Sequence, residues 1–220
     1  MFNNKLIFSL MSLSIVILFA EFAGAYVSQR GNINATVGPY VFQTNYSGIR
    51  SEDNGVSGGI SLVATGDVSD HGSLEMSTVY MDKSYFRDIA DRSIAEKTQV
   101  IHIGIGYRRY WAPSFSTSLS VYTNYPMGET EVMHTDFADA EKVETSARTS
   151  SESGLDLGFQ GEIWSSGRYA VMAEVRYSYA LSKKSHEFSD QYGGTIGIRY
   201  FIQSHVAKPK ELRPKESTEK

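Results

Sequence analysis

The chain has 220 residues, a formal charge of −4 and no cysteine. That charge gives no support to a nucleic-acid partner, and the missing thiols exclude a disulfide framework, so an exported domain must be held together by something else. Past the first 25 residues no apolar run approaches a transmembrane helix, which leaves a periplasmic protein, a secreted one, or an outer-membrane barrel.

Residues 1–25 carry Lys5, an apolar stretch over residues 6–19 broken only by small serines, and Ala23-Gly24-Ala25. This is the positive region, apolar core and A-x-A site of a secretory signal peptide, with cleavage expected after Ala25. A first strand follows, with Ile33, Ala35, Val37, Pro39 and Val41 on one face and Asn34, Thr36, Gly38 and Tyr40 on the other. Pro39 deletes a ladder hydrogen bond, so a bulge is expected there. After a polar stretch over residues 46–55, a second strand sets Ile60, Leu62 and Ala64 against Gly59, Ser61 and Thr65. Residues 66–72 read as a turn. A third strand sets Leu74, Met76, Thr78 and Tyr80 against Glu75 and Ser77. Residues 82–97 are charged and are expected to form a loop with room for one helical turn over residues 89–94.

The clearest pattern lies in residues 99–125. Gln99, Ile101, Ile103, Ile105, Tyr107, Arg109 and Trp111 alternate with His102, Gly104, Gly106, Arg108 and Tyr110. After a turn at residues 112–114, Phe115, Thr117, Leu119, Val121, Thr123 and Tyr125 alternate with Ser116, Ser118, Ser120, Tyr122 and Asn124. A period of two marks strands, and these two reach the ~9–11 tilted residues that cross a bilayer. Residues 127–153 form a long polar, acidic segment. The sixth strand sets Leu155, Leu157, Phe159, Gly161 and Ile163 against Asp156, Gly158, Gln160 and Glu162. A three-residue loop at residues 165–167 leads to the seventh, with Tyr169, Val171, Ala173, Val175, Tyr177 and Tyr179 opposite Ala170, Met172, Glu174, Arg176 and Ser178. That loop predicts Asp156 opposite Arg176, Gly158 opposite Glu174, and a direct Asp156–Arg176 ion pair. Another polar loop precedes the eighth strand, in which Tyr192, Gly194, Ile196, Ile198, Tyr200 and Ile202 face away from Gly193, Thr195, Gly197, Arg199 and Phe201.

Long and short connections alternate along this series, as in outer-membrane barrels with short periplasmic turns and long outer loops. In that orientation Tyr107, Trp111, Phe115, Tyr169 and Tyr200 fall at the periplasmic end, and Tyr80, Tyr125, Tyr177, Tyr179 and Tyr192 at the outer end. Two aromatic girdles flanking an aliphatic band suit the two membrane interfaces. The expected fold is all-β: an eight-stranded antiparallel up-and-down transmembrane β-barrel. Its inward charges are Glu75, His102, Arg108, Asp156, Glu162, Glu174, Arg176 and Arg199. An eight-stranded interior is only wide enough for side chains to fill it, so a plugging charge network is favoured over a polar channel. Tyr122 is placed to cover Gly104 across the strand pair.

With these features the chain resembles the small eight-stranded outer-membrane barrels of Gram-negative bacteria, of the OmpA/OmpX type, over about residues 31–203. Thr195-Ile196-Gly197-Ile198-Arg199-Tyr200-Phe201-Ile202 is similar to that family's C-terminal insertion signal through Gly197, Tyr200 and Ile202. The resemblance implies residence in the cell outer membrane. It also implies contact with outer-membrane lipid and lipopolysaccharide, and handling by the barrel assembly machinery. The barrel domain is assigned to residues 26–205. Unlike the family pattern, a Pro-, Lys- and Glu-rich tail over residues 206–220 follows the last strand, expected to be disordered and periplasmic.

Candidate chemistry is sparse. His71-Gly72-Ser73 has the H-x-S spacing of the lipid A deacylases but falls in a periplasmic turn. His134 with Asp136, and Ser185-His186-Glu187, lie in outer loops and read as solvated groups. His102 faces inward opposite Asn124 and reads as a hydrogen-bonded pair. No metal spacing, cofactor motif or set of nucleophile, base and orienting group emerges. The expected role is non-enzymatic: a structural or surface-interaction function through the outer loops, toward an unknown extracellular ligand. The alternative is a small pore or a conduit for small or apolar molecules, and the third option is a lipid A-modifying enzyme.

Overall fold

The computed structural model describes residues 26–49, 51, 54–139, 143–149 and 151–203. The expected signal peptide and the tail over residues 206–220 lie outside the described residues. In chain order the strands are β1 (Ile33–Thr44), β2 (Ser57–Ser69), β3 (Gly72–Ile89), β4 (Arg92–Ala112), β5 (Phe115–Pro126), β6 (Glu131–Thr135), β7 (Glu152–Ser166), β8 (Tyr169–Ala180), β9 (Glu187–Phe188) and β10 (Gln191–Gln203). A single helical turn, α1 (Ser146–Thr149), precedes β7. Eight of the strands close into a ring in the order β1-β2-β3-β4-β5-β7-β8-β10, with β10 antiparallel to β1. The short β6 and β9 stand outside the ring, on β4 and β3 respectively.

The alternation seen in the sequence becomes an inverted sorting of side chains. Ile105, Leu119, Val121 and Ile196 are exposed, while Glu75, Arg108, Asp156 and Arg199 are buried inside the ring. A soluble protein sorts these residues the other way; a barrel solvated by lipid sorts them as here. On β4 the outward side chains from Trp111 to Ile101 span about 33 Å of strand, which a ~45° tilt projects to roughly 23 Å, close to the ~25 Å apolar band of such barrels.

All three turns at the periplasmic end are tighter than expected. They are two-residue loops at Asp70–His71, Pro113–Ser114 and Gly167–Arg168, closed by the pairs Ser69↔Gly72, Ala112↔Phe115 and Ser166↔Tyr169. The stretch 66–69 is strand rather than turn. A one-residue slip relative to a three-residue loop would by itself turn every inward side chain to lipid. It does not, because each hairpin carries one extra residue: Val68 in β2, Trp111 in β4 and Ile163 in β7. Ile202 in β10 is a fourth such bulge at the same end, against β1. All four bulged side chains are apolar and exposed.

In the β4–β5 hairpin the bulge and the shorter loop cancel, and His102 lies opposite Asn124 as expected. In the β7–β8 hairpin the loop sits further along the chain than expected, and the net slip is two residues. Asp156 therefore pairs with Ser178, Gly158 with Arg176 and Gln160 with Glu174. The expected register is wrong, but an even slip keeps every residue on its expected face.

Two further expectations are corrected at β1 and beyond the outer rim. No bulge marks Pro39. The register stays constant from Val37↔Ile198 to Tyr40↔Thr195, and only Gly38 and Pro39 drop out of the pairing with β10. The strands stay close there, since a side chain at Gly38 would meet the Ile196 carbonyl oxygen at 2.5 Å. Residues 82–97 hold no helical turn. β3 and β4 continue as one ladder from Gly72↔Arg109 to Ile89↔Arg92 and turn at Ala90–Asp91. The charges there follow strand faces rather than a loop: Asp82 and Lys97 face solvent 3.5 Å apart, while Lys83 and Glu96 are buried.

Candidate functional site: the barrel interior and the outer platform

The interior is built in layers. Glu75 comes from β3, Arg108 from β4, and Glu174 and Arg176 from β8. In the eight-strand ring β3 and β8 are diametrically opposed. The four side chains close a cycle of alternating charge across that diameter. Arg108 holds Glu75 at 2.5 Å and Glu174 at 2.7 Å, and Arg176 holds Glu174 at 2.6 Å and Glu75 at 3.3 Å. Hydroxyls fill the remaining donors: Arg108 reaches Ser116 at 3.0 Å and Arg176 reaches Ser77 at 3.1 Å.

Asp156 is attached to this cycle through Arg176 at 3.3 Å and to His102 at 2.8 Å. The Asp156–Arg176 contact thus exists, reached along the strands rather than straight across the pair. His102 contacts Asn124 at 2.8 Å and stacks on Tyr122, ring centroids 4.5 Å apart. The Tyr122 ring lies over Gly154, where an added Cβ would meet ring carbons at 2.6 Å, and not over Gly104 as expected. Toward the periplasm, Gln160 donates to Glu174 at 3.1 Å and accepts from Arg199 at 2.5 Å. Arg199 lies 3.5 Å from Glu162. The structure therefore links all eight expected inward charges through Gln160.

A second layer lies nearer the outer rim. Lys83 contacts Glu152 at 2.5 Å, both fully buried, and Glu152 accepts from Asn124 at 2.8 Å and Tyr122 at 3.2 Å. Beside it, Tyr40, Phe42, Val79, Met81 and Val100 form an apolar cluster inside the barrel. Sequence reasoning missed Lys83 and Glu152. Glu152 falls on the same period-two series as Asp156, two residues before Gly154; Lys83 falls on the series of Glu75 and Ser77, which runs on past Tyr80.

Above the rim the extended β3–β4 hairpin is packed into a platform. Tyr46 stacks on Phe86 at 4.2 Å and meets Phe188 edge-on at 5.2 Å. Glu96 accepts from Arg148 Nε at 2.7 Å and from Thr145. Glu187 accepts from the Ser146 backbone at 2.8 Å and from the Lys184 backbone at 2.8 Å. Asp136 accepts from the Ser93 backbone at 3.0 Å and contacts His134 at 3.0 Å. The Ser93 N–H, helped by His134 and the Ser93 hydroxyl, holds the Asp136 carboxyl below its usual range.

The catalytic candidates do not assemble. Ser73 is buried and donates to Asp67, while His71 is exposed in its turn, so the H-x-S residues point apart. Glu187 is occupied in organising backbone. Among the described residues no group of three or more His, Asp or Glu is placed to hold a metal ion. The outward aromatics Tyr80, Tyr125, Tyr177, Tyr179 and Tyr192 are exposed toward the outer rim; Tyr107, Trp111, Tyr169 and Tyr200 are exposed, and Phe115 half-exposed, toward the periplasmic rim. Trp164, exposed next to the Ile163 bulge, joins the latter group.

This architecture is that of the small eight-stranded transmembrane β-barrels of the Gram-negative outer membrane. No protein-family model matches the chain, and no curated protein sequence matches it. Among solved structures it is similar to the outer membrane protein OprG from Pseudomonas aeruginosa, at 11% identity and a TM-score of 0.54, over 83% of this chain and 100% of that one. It is also similar to Ail, the attachment invasion locus protein of Yersinia pestis, at 10% identity and a TM-score of 0.46, over 79% of this chain and 100% of that one. At these identities the likeness to OprG extends to the fold.

Proposed function

We propose that this protein is a closed, non-conducting, non-enzymatic outer-membrane barrel whose role is to hold a structured platform outside the cell for contact with an extracellular partner. The observation that carries the reading is the Arg108–Glu75–Arg176–Glu174 cycle, which crosses the interior along a diameter. A conduit needs a path along the axis, and here that path is occupied by paired charges and, further out, by the Tyr40–Phe42–Val79–Met81–Val100 cluster. The platform supports the second half of the reading. A rigid scaffold carrying ordered outer segments is how such proteins present contact residues. Outer-membrane lipid and lipopolysaccharide surround the aliphatic band, and the barrel assembly machinery reads Gly197, Tyr200 and Ile202. The test is single-channel recording of the purified protein in planar bilayers. No discrete conductance steps are expected, and reproducible steps with a fixed amplitude would replace this reading with that of a pore.

A further inference from the structure

The periplasmic mouth of the barrel holds a buried carboxylate that the interior network does not satisfy. Glu162 is 3% exposed, and neither of its oxygens accepts a well-formed hydrogen bond. It lies 3.5 Å from Arg199 and faces the backbone nitrogen of Tyr26 and the side chain of Ser165. A buried carboxylate without full partners is costly, so its unfilled side calls for an explanation.

Tyr26 is fastened into the same mouth. Its ring stacks on Phe201 at 5.3 Å, tilts against Tyr110 at 5.2 Å and lies 5.0 Å from the Arg199 guanidinium. Its hydroxyl donates to Asp67, which also accepts from the Gln29 backbone at 2.8 Å. Ser28 donates to the Ser69 carbonyl at 2.9 Å, and the Gly31 N–H to the Asp67 carbonyl at 2.9 Å. Tyr26, Val27, Asn32, Glu162, Ser165 and Phe201 border a cavity of about 370 Å³ at this end. Among the described residues, the charged side chains touching Tyr26 or meeting Glu162 are Arg199 and Asp67; with Glu162 itself that makes one cation against two carboxylates.

We propose that signal-peptide cleavage after Ala25 creates the missing cation: the new α-ammonium of Tyr26 seats on Glu162 and latches the N-terminal segment into the periplasmic mouth. Hydrolysis breaks the Ala25–Tyr26 peptide bond, leaving the hydroxyl of water on the Ala25 carbonyl carbon and a hydrogen on the Tyr26 nitrogen. The resulting amine takes up a further proton near neutral pH, since an ordinary α-amine has a pKa of about 7.7–8.0. An uncleaved chain offers only a neutral amide at this point, so the latch closes only in a processed chain. The inference concerns the periplasmic end and is independent of the outer-surface role.

The experiment uses mature protein purified from outer membranes. Intact mass and N-terminal sequence define the first residue, expected to be Tyr26. Amines are then reductively dimethylated near neutral pH in detergent and in urea, and the Tyr26 amine is quantified by mass spectrometry. In the folded protein it is expected to react at least about tenfold more slowly than in urea, the factor given by a one-unit rise in amine pKa alone. E162Q is expected to abolish that protection. Should E162Q lose heat-modifiable migration, a variant with one glycine inserted between Ala25 and Tyr26 replaces it. The insertion moves the ammonium by about 3.8 Å and leaves Glu162 intact, with the same loss of protection expected. A first residue other than Tyr26, an unprotected amine in the folded wild type, or protection unchanged in the folded variants would each overturn the latch.

Discussion

Arg176 is the most shared side chain of the interior, held by Glu174, Glu75 and Asp156 at once. Sharing sets what each pair is worth. Arg108→Gln strips Glu75 of its 2.5 Å partner and opens the cycle, and loss of one partner of a buried pair costs about 3–5 kcal/mol. Asp156 and Arg176 are less dependent on each other: their contact is 3.3 Å against 2.5 Å for Arg108 with Glu75, Asp156 keeps His102 and Arg176 keeps two glutamates. Among the described residues, Arg108 keeps only Glu174 as a charged partner, and Glu75 only its 3.3 Å contact with Arg176. A double-mutant cycle on urea unfolding in lipid vesicles, with Asp156→Asn and Arg176→Gln, should therefore give a coupling on the order of 1 kcal/mol, well below that of Arg108 with Glu75. Equal couplings would contradict the shared geometry. The inward direction of all these residues was legible, because strand alternation is a property of each strand alone. Of their partners, only Asp156 with Arg176 and His102 with Asn124 were, and the first of these from a register that the structure corrects. Lys83 and Glu152 are separated by 69 residues and meet only because the ring closes.

The element that departs most from its expected form is the β3–β4 hairpin. Its upper half alternates polar and buried residues without an aliphatic face, so it looks like loop to any reading that expects lipid outside. Beyond the membrane the requirement changes: Tyr85, Phe86, Ile94 and Ala95 are all buried, Phe86 and Ala95 against Tyr46 and Phe188, rather than exposed to lipid. A hairpin projecting from a barrel also has two open edges, which invite pairing with other chains. β9 covers β3 at Phe86 and Arg87, and β6 covers β4 from Ile94 to Lys97. At the tip, Ala90 has φ of 54° while Asp91 does not share the left-handed conformation. A two-residue turn with only its first residue at positive φ takes glycine there, as Gly167 does in the β7–β8 turn with φ of 58°. Left-handed backbone costs a non-glycine residue about 1–2 kcal/mol, so Ala90→Gly should stabilise the tip by about 1 kcal/mol. Slower amide exchange at Ile89 and Arg92 would show it, and faster exchange would mean the tip is not the strained turn described.

At the scale of the whole molecule, the alternation of connection lengths sets which end faces out. With the three long connections β1–β2, β5–β7 and β8–β10 and the β3–β4 tip at one end, a cysteine replacing Asp91 should react with an impermeant thiol reagent on intact cells, and one replacing Ser166 should not. Recovery of the protein in the outer-membrane fraction belongs to the same test, since labelling at Ser166 alone would invert the barrel. The alternation itself was legible in the sequence before any register was, because it rests on counting long and short connections. The exact turn lengths were not legible: Trp111 and Ile163 look like ordinary outward residues, and nothing local marks them as the extra residue of a bulge.

Those bulges bear on how such a sequence can change over generations. Each periplasmic hairpin pairs a short loop with one extra strand residue, and the two are correct only together. Losing Trp111 or Ile163 alone would send the whole inward set of one strand into lipid, charges included, whereas losing one while gaining a loop residue would leave the barrel as it was. Length variation in descendants of this chain should therefore arrive at the periplasmic end in compensated pairs, and freely, one residue at a time, only in the segments that the outer platform keeps clear of the membrane.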